Sequence, residues 1–119
     1  MPPRGADDVC RGLGALSIRL GQAQHPLGDV AHDELNAAWR YDQGLPCGAE
    51  SNAAKYLAGE AGFSACETAV LTHGGFGYAK EYHVERYFRE SMLLRIAPIS
   101  IQLIMCYIAE RVLGLPKSY

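Results

Sequence analysis

Three glycines in four positions, Gly74, Gly75 and Gly77, lie between His73 and Tyr78. Backbone amides at such a turn have no side chains in front of them, the feature by which phosphate-bearing ligands are held in several unrelated folds. The same glycines follow a long alanine-rich segment and also read as the C-cap that ends a helix. His73 at that helix end is explained by the C-terminal dipole. It stands ten residues from His83 across a loop, while His25 and His32 lie elsewhere, so no metal-ligand spacing arises.

The flanks narrow the reading. His73-Gly74-Gly75-Phe76-Gly77-Tyr78, then Glu81-Tyr82, Val84-Glu85-Arg86 and Arg89, resemble the C-terminal helical domain of the flavin-dependent acyl-CoA dehydrogenases. The resemblance runs without a gap back through Lys55 to Ala37-Ala38-Trp39 and Asp42-x-Gly44. Forward, it reaches Ile108-Ala109-x-x-Val112-Leu113. Residues 37–115 match best, and several spaced motifs in the right order make the likeness specific.

The resemblance implies FAD as cofactor and α,β-dehydrogenation of an acyl-CoA thioester. A glutamate removes the α-proton, which is weakly acidic and needs a positioned base, while hydride leaves the β-carbon for the flavin. It places Gly74, Gly75 and Gly77 at the cofactor, Ser100 where a threonine usually sits near the flavin, and Arg19 where an arginine reaches the flavin phosphates. The usual glutamate falls on Pro98, within Ala97-Pro98-Ile99-Ser100, and proline cannot take a proton. Residues 9–28 hold no acidic side chain, which leaves Asp33 and Glu34, with Asp29, as the nearest substitutes. For these, a solvated helix face is the plainer reading. Leu71 stands where the family commonly has a glutamine. The catalytic set is therefore empty, and the chain by itself is expected to be inactive.

Helices must position these residues. Residues 1–6 form a loose lead-in, after which Asp7 or Asp8 caps a helix to about Leu20. Pro26 begins a second helix to about Gln43, shorter than the family pattern by roughly two turns. Gly44-Leu45-Pro46-Cys47-Gly48 makes a short connection. A third helix from about Ala49 to His73 carries an inner face of Ala53, Leu57, Ala61, Ser64, Ala65, Thr68 and Leu71. Lys55 has no acidic neighbour one turn away, so Asp42 or Glu85 is its expected partner. Another helix starts at Val84. The last begins near Pro98, is apolar on nearly every side and stops at Gly114-Leu115-Pro116. The whole reads as an all-α, antiparallel up-and-down bundle of four to five helices in a single domain over residues 1–119.

At 119 residues the chain is short for an enzyme that must enclose a dinucleotide and a substrate. In full-length members of the family the bundle follows another helical domain and a β-domain. The net charge of −2 gives no electrostatic case for nucleic acid. Cys10, Cys47, Cys66 and Cys106 form no Cys-x-x-Cys pair and read as reduced core thiols, and no metal is expected. No signal peptide is recognisable, and the most apolar run is interrupted by polar residues. An intracellular, soluble protein follows, cytoplasmic or of the mitochondrial matrix, without a membrane span.

Two classes of function result. One is an acyl-CoA dehydrogenase component acting on the CH–CH group of acyl-CoA as a homo-oligomer, or as a hetero-oligomer with a subunit that supplies the base. The alternative is a non-catalytic helical assembly subunit that keeps the family interface without chemistry.

Overall fold

The computed structural model describes residues 30–117, so the expected N-terminal helix, the Pro26 helix start, Cys10 and Arg19 lie outside the described residues. Among the described residues all regular structure is helical, with no strand. Helix α1 covers residues 30–42. Its end is a Schellman motif: Leu45 donates to the Arg40 carbonyl at 2.9 Å and Gly44 to that of Tyr41 at 3.0 Å. Gly44 supplies the required positive φ of 67°. Arg40 then fastens the connection, donating twice to the Pro46 carbonyl and pairing with Glu50 at 3.1 Å.

Helix α2, Gly48–His73, is the spine. Helix α3, Val84–Ile96, runs back along it, and α4, Ile101–Tyr107, continues the same way before ending in a π-turn, Ile108–Val112. Contacts along α2 fix this direction. Phe63 meets Phe88 with ring centroids 5.2 Å apart, and Glu60 pairs with Arg95 at 2.8 Å. A Cβ at Gly48 would stand 2.7 Å from the Tyr107 hydroxyl. The all-α antiparallel arrangement expected from the sequence is the one observed.

Small residues surround α2 on every side, so periodicity alone does not select its buried face. The structure corrects the expected one. Ala61 is buried as expected, but its buried companions are Ala54 and Gly59, while Ser64 and Leu71 face outward. The choice is made by the Phe63–Phe88 contact and by Arg95, whose guanidinium lies 4.8 Å from the Phe63 ring centroid. Lys55 also departs from expectation: its ammonium donates to the Leu94 carbonyl and not to Asp42 or Glu85. Glu85 instead pairs with Arg89 one turn on, at 3.3 Å.

The last helix starts at Ile101 rather than Pro98. Residues 97–100 form a corner, entered by Ala97 at φ −129°, ψ 155°. Ser100 is the N-cap of α4, its hydroxyl accepting from the Leu103 amide at 3.4 Å. Gly114, at φ 67°, ends the helical run as expected. By length and composition, Val84–Val112 is apolar enough to cross a membrane, with a mean hydropathy of 1.8 in its best window. The corner divides it, however. The 13 residues of α3 reach only about 20 Å, short of a hydrocarbon core of about 30 Å.

His83, the N-cap of α3, adopts φ 56°, a left-handed conformation costly for a residue with a Cβ. Its carbonyl accepts from the Arg86 and Tyr87 amides, so the helix start depends on this geometry. Relief of about 1–2 kcal/mol of left-handed strain, less roughly 0.5–1 kcal/mol of glycine entropy, leaves a gain for His83→Gly. Thermal unfolding of that variant is expected a few degrees above the unmodified chain, and a lower midpoint would show that the ring itself contributes.

Candidate functional site

The three glycines do three different things. Gly74 is the C-cap of α2, at φ 60°, its amide donating to the Leu71 carbonyl. Gly77 is buried, and a Cβ there would stand 2.5 Å from the Val70 carbonyl oxygen and 2.9 Å from the Val70 Cα. The chain therefore needs glycine at 77 to close its own turn. Gly75 has neither requirement: its φ is not positive, and a Cβ would meet nothing within 4 Å. Positive φ thus belongs to Gly74, not Gly75. Gly75 is left with backbone open to the exterior.

The turn is a single 3₁₀ segment, Gly74–Tyr78, followed by another, Lys80–Tyr82. Phe76 and Tyr78 are 65% and 86% exposed, unusual for aromatic rings, and Phe76 leans on Tyr82 with centroids 5.3 Å apart. His73 is spent on the helix end, Nδ1–H donating to the Ala69 carbonyl at 2.8 Å. The neighbouring Thr72 hydroxyl is buried without a hydrogen-bond partner among the described residues. Between the turn and α3 lies a cavity of about 520 Å³ lined by Val70, Gly77, Tyr78, Lys80, Glu85, Phe88, Arg89 and Met92. Its floor is apolar, and its rim carries Lys80 and the Glu85–Arg89 pair.

Ser100 lies elsewhere. It shares a cavity of about 330 Å³ with Met92, Arg95, Ile96, Ile101 and Gln102, at the far end of α3. Thirteen helical residues separate this end from the glycine turn, a distance of about 20 Å. Gly74, Gly75 and Gly77 are therefore brought together, and Ser100 is not brought to them within one chain. Gln102, from the sequence only an interruption of an apolar run, lines this cavity beside Ser100. Pro98 lies on the opposite flank of the corner, in a cavity of about 300 Å³ with Ser51, Asn52, Lys55, Ile99 and Ile104. Asp33 and Glu34 are on α1. Among the described residues no three His, Cys, Asp or Glu side chains gather as for a metal ion.

An exposed glycine backbone flanked by exposed aromatic rings suits a ligand with both a phosphate and a flat ring, so the turn fits a flavin dinucleotide. The corner fits only in part, offering a hydroxyl and an amide but no base.

Comparison with known proteins agrees with the fold. The family described as acyl-CoA dehydrogenase, C-terminal domain, matches residues 17–113. Acyl-CoA dehydrogenase fadE12 of Mycobacterium tuberculosis is 45% identical over 85 residues, covering 70% of this chain and 22% of that protein. Probable acyl-CoA dehydrogenase YngJ of Bacillus subtilis is 39% identical over 99 residues, 83% of this chain and 26% of its own length. Caffeyl-CoA reductase-Etf complex subunit CarC of Acetobacterium woodii is 41% identical over 61 residues, 51% of this chain and 16% of that protein. The chain thus spans about a quarter or less of the length of these relatives. With most of its length matched, this chain belongs to the acyl-CoA dehydrogenase family, in the part that forms the C-terminal domain.

Proposed function

We propose that the chain is the FAD-facing helical bundle of an oxidoreductase acting on the CH–CH group of acyl-CoA thioesters, working within an oligomer. The observation that carries this reading is Gly75, a glycine that the chain's own packing and backbone do not require. Its exposed backbone is free to approach a phosphate, while Phe76 and Tyr78 offer ring faces beside it. At the other end of α3, the Ser100 hydroxyl accepts from Leu103 and keeps its own proton to donate. Gln102 adds an amide to the same cavity. Arg19 completes the residues assigned to the cofactor. FAD, when bound, supplies the hydride acceptor.

This chain supplies no base at residue 98. The α-proton must be taken by a carboxylate elsewhere in the assembled enzyme, from a partner subunit or, within this chain, from Asp33 or Glu34. That same observation favours a second reading, a helical assembly subunit that keeps the family interface without chemistry.

Flavin binding separates the two. In a fluorescence titration with FAD, the unmodified chain is expected to bind, and Gly75→Val to bind at least tenfold more weakly while its far-ultraviolet circular dichroism is unchanged. Position 75 has room for a side chain, so the loss reports the blocked approach and not unfolding. Equal affinity in the two proteins would reduce the turn to a helix cap, and a chain that takes up no FAD at all would leave the assembly reading.

A further inference from the structure

The last turn of α3 must end a helix and enter the corner that carries Pro98 and Ser100. A helix leaves its final carbonyls without internal donors. The Ala97 amide serves Leu93 at 2.8 Å. The next carbonyl, Leu94, would take the amide of residue 98 in a continuing helix, and a proline has none. Lys55 on α2 fills that place, its ammonium donating to the Leu94 oxygen. The helices come close enough because residue 59 is glycine: a Cβ there would already stand 3.4 Å from the same oxygen. A cation is also favoured at this negative end of the helix dipole. One residue on, Arg95 binds Glu60 at 2.8 and 2.9 Å, so α2 tethers α3 at two consecutive positions just before the corner.

Packing contributes little there. The corner residues line open cavities of about 300 and 330 Å³, and Ile99 is 47% exposed. The geometry points to Lys55 as a positioning residue whose ammonium stands in for the amide that Pro98 lacks and so fixes the corner that presents Ser100 to the cofactor. Holding the corner follows from the contacts above; presenting Ser100 to FAD rests on the reading given under Proposed function.

The test uses the full chain with Lys55→Met, which keeps the length and removes the donor, and Lys55→Arg, which restores one. Hydrogen–deuterium exchange across residues 95–104 is expected to accelerate about tenfold in Lys55→Met, with residues 60–72 unchanged, and to recover in Lys55→Arg. FAD affinity is expected to fall about tenfold and to recover in the same way. Unchanged exchange at the corner, or an increase spread evenly over the chain, overturns the proposal. So does unchanged FAD affinity in a chain that binds FAD and whose corner has loosened. If the unmodified chain binds no FAD, the flavin reading fails separately and the exchange comparison still decides whether Lys55 holds the corner. Where Lys55→Met does not fold, Lys55→Gln, whose amide is too short to reach, takes its place in both measurements.

Discussion

Gly77→Ala is expected to destabilise the chain by about 3 kcal/mol, at the upper end of what overpacking costs, while Gly75→Ala changes stability by less than about 0.5 kcal/mol. The two positions are two residues apart and chemically identical. What differs is what a Cβ would meet. At 77 it would press on the Val70 backbone at 2.5 and 2.9 Å, and a carbonyl inside a helix cannot rotate away as a side chain would. Either the turn lifts off α2 or the last turn of α2 unwinds. Gly74→Ala falls between them: there is room for the methyl group, but φ 60° with ψ −136° is a conformation that glycine alone adopts readily and costs a side-chain-bearing residue about 1–3 kcal/mol. For a chain of 119 residues, 3 kcal/mol lowers the unfolding midpoint by roughly 10–15 °C. Thermal unfolding of the three alanine variants should therefore give the order Gly75, Gly74, Gly77 from least to most damaging. A Gly77→Ala protein as stable as the unmodified chain would mean that the turn does not rest on Val70.

This order also marks how far the sequence could be read. Three glycines after an alanine-rich helix announce a turn, and a turn was found. Their separate roles depend on which of them faces α2, and no local pattern carries that. The same division holds elsewhere. Gly44 and Gly114 were legible as helix stops because a C-cap is local chemistry. The partner of Lys55 was not, because it is a backbone carbonyl 39 residues away, orphaned by a proline that the sequence shows but whose consequence depends on α2 passing beside it. Pro98 at the first position of a helix is a sound local rule, yet it would leave Ala97 as the cap, with no side-chain acceptor, whereas Ser100 caps the helix that begins at Ile101 by accepting from the Leu103 amide. The separation of Ser100 from the glycine turn was legible in principle, since a 13-residue helix between them has a fixed length. The family likeness groups these residues by function and says nothing of how far apart one chain holds them.

The largest consequence for the intact protein concerns what covers α3 and α4. Ile104, 1% exposed, is the one large side chain among the described residues that is essentially removed from solvent, and it anchors α4. Along α3, α4 and the turn that follows, Leu93, Ile96, Leu103, Met105, Val112 and Leu113 are each 49–66% exposed. Leu94 and Ile99 are each 47% exposed as well, and apolar side chains open to water in such number mark an association surface. A sequence reading that made the last helix apolar all round already required a cover, and α2 shields only the side that holds Ile104. Association with a second copy is therefore expected at micromolar concentration, with sedimentation velocity giving a dimer or larger species. Leu103→Glu should shift that distribution towards monomer without loss of helicity, because the charge enters a surface already open to water. Ile104→Ala should act differently: removing a buried branched side chain costs about 2–5 kcal/mol of fold stability and lowers the unfolding midpoint before it alters the contact between chains. A stable, well-folded monomer in the unmodified protein would contradict the association. A Leu103→Glu variant that unfolds rather than dissociates would instead place Leu103 within the fold of a single chain.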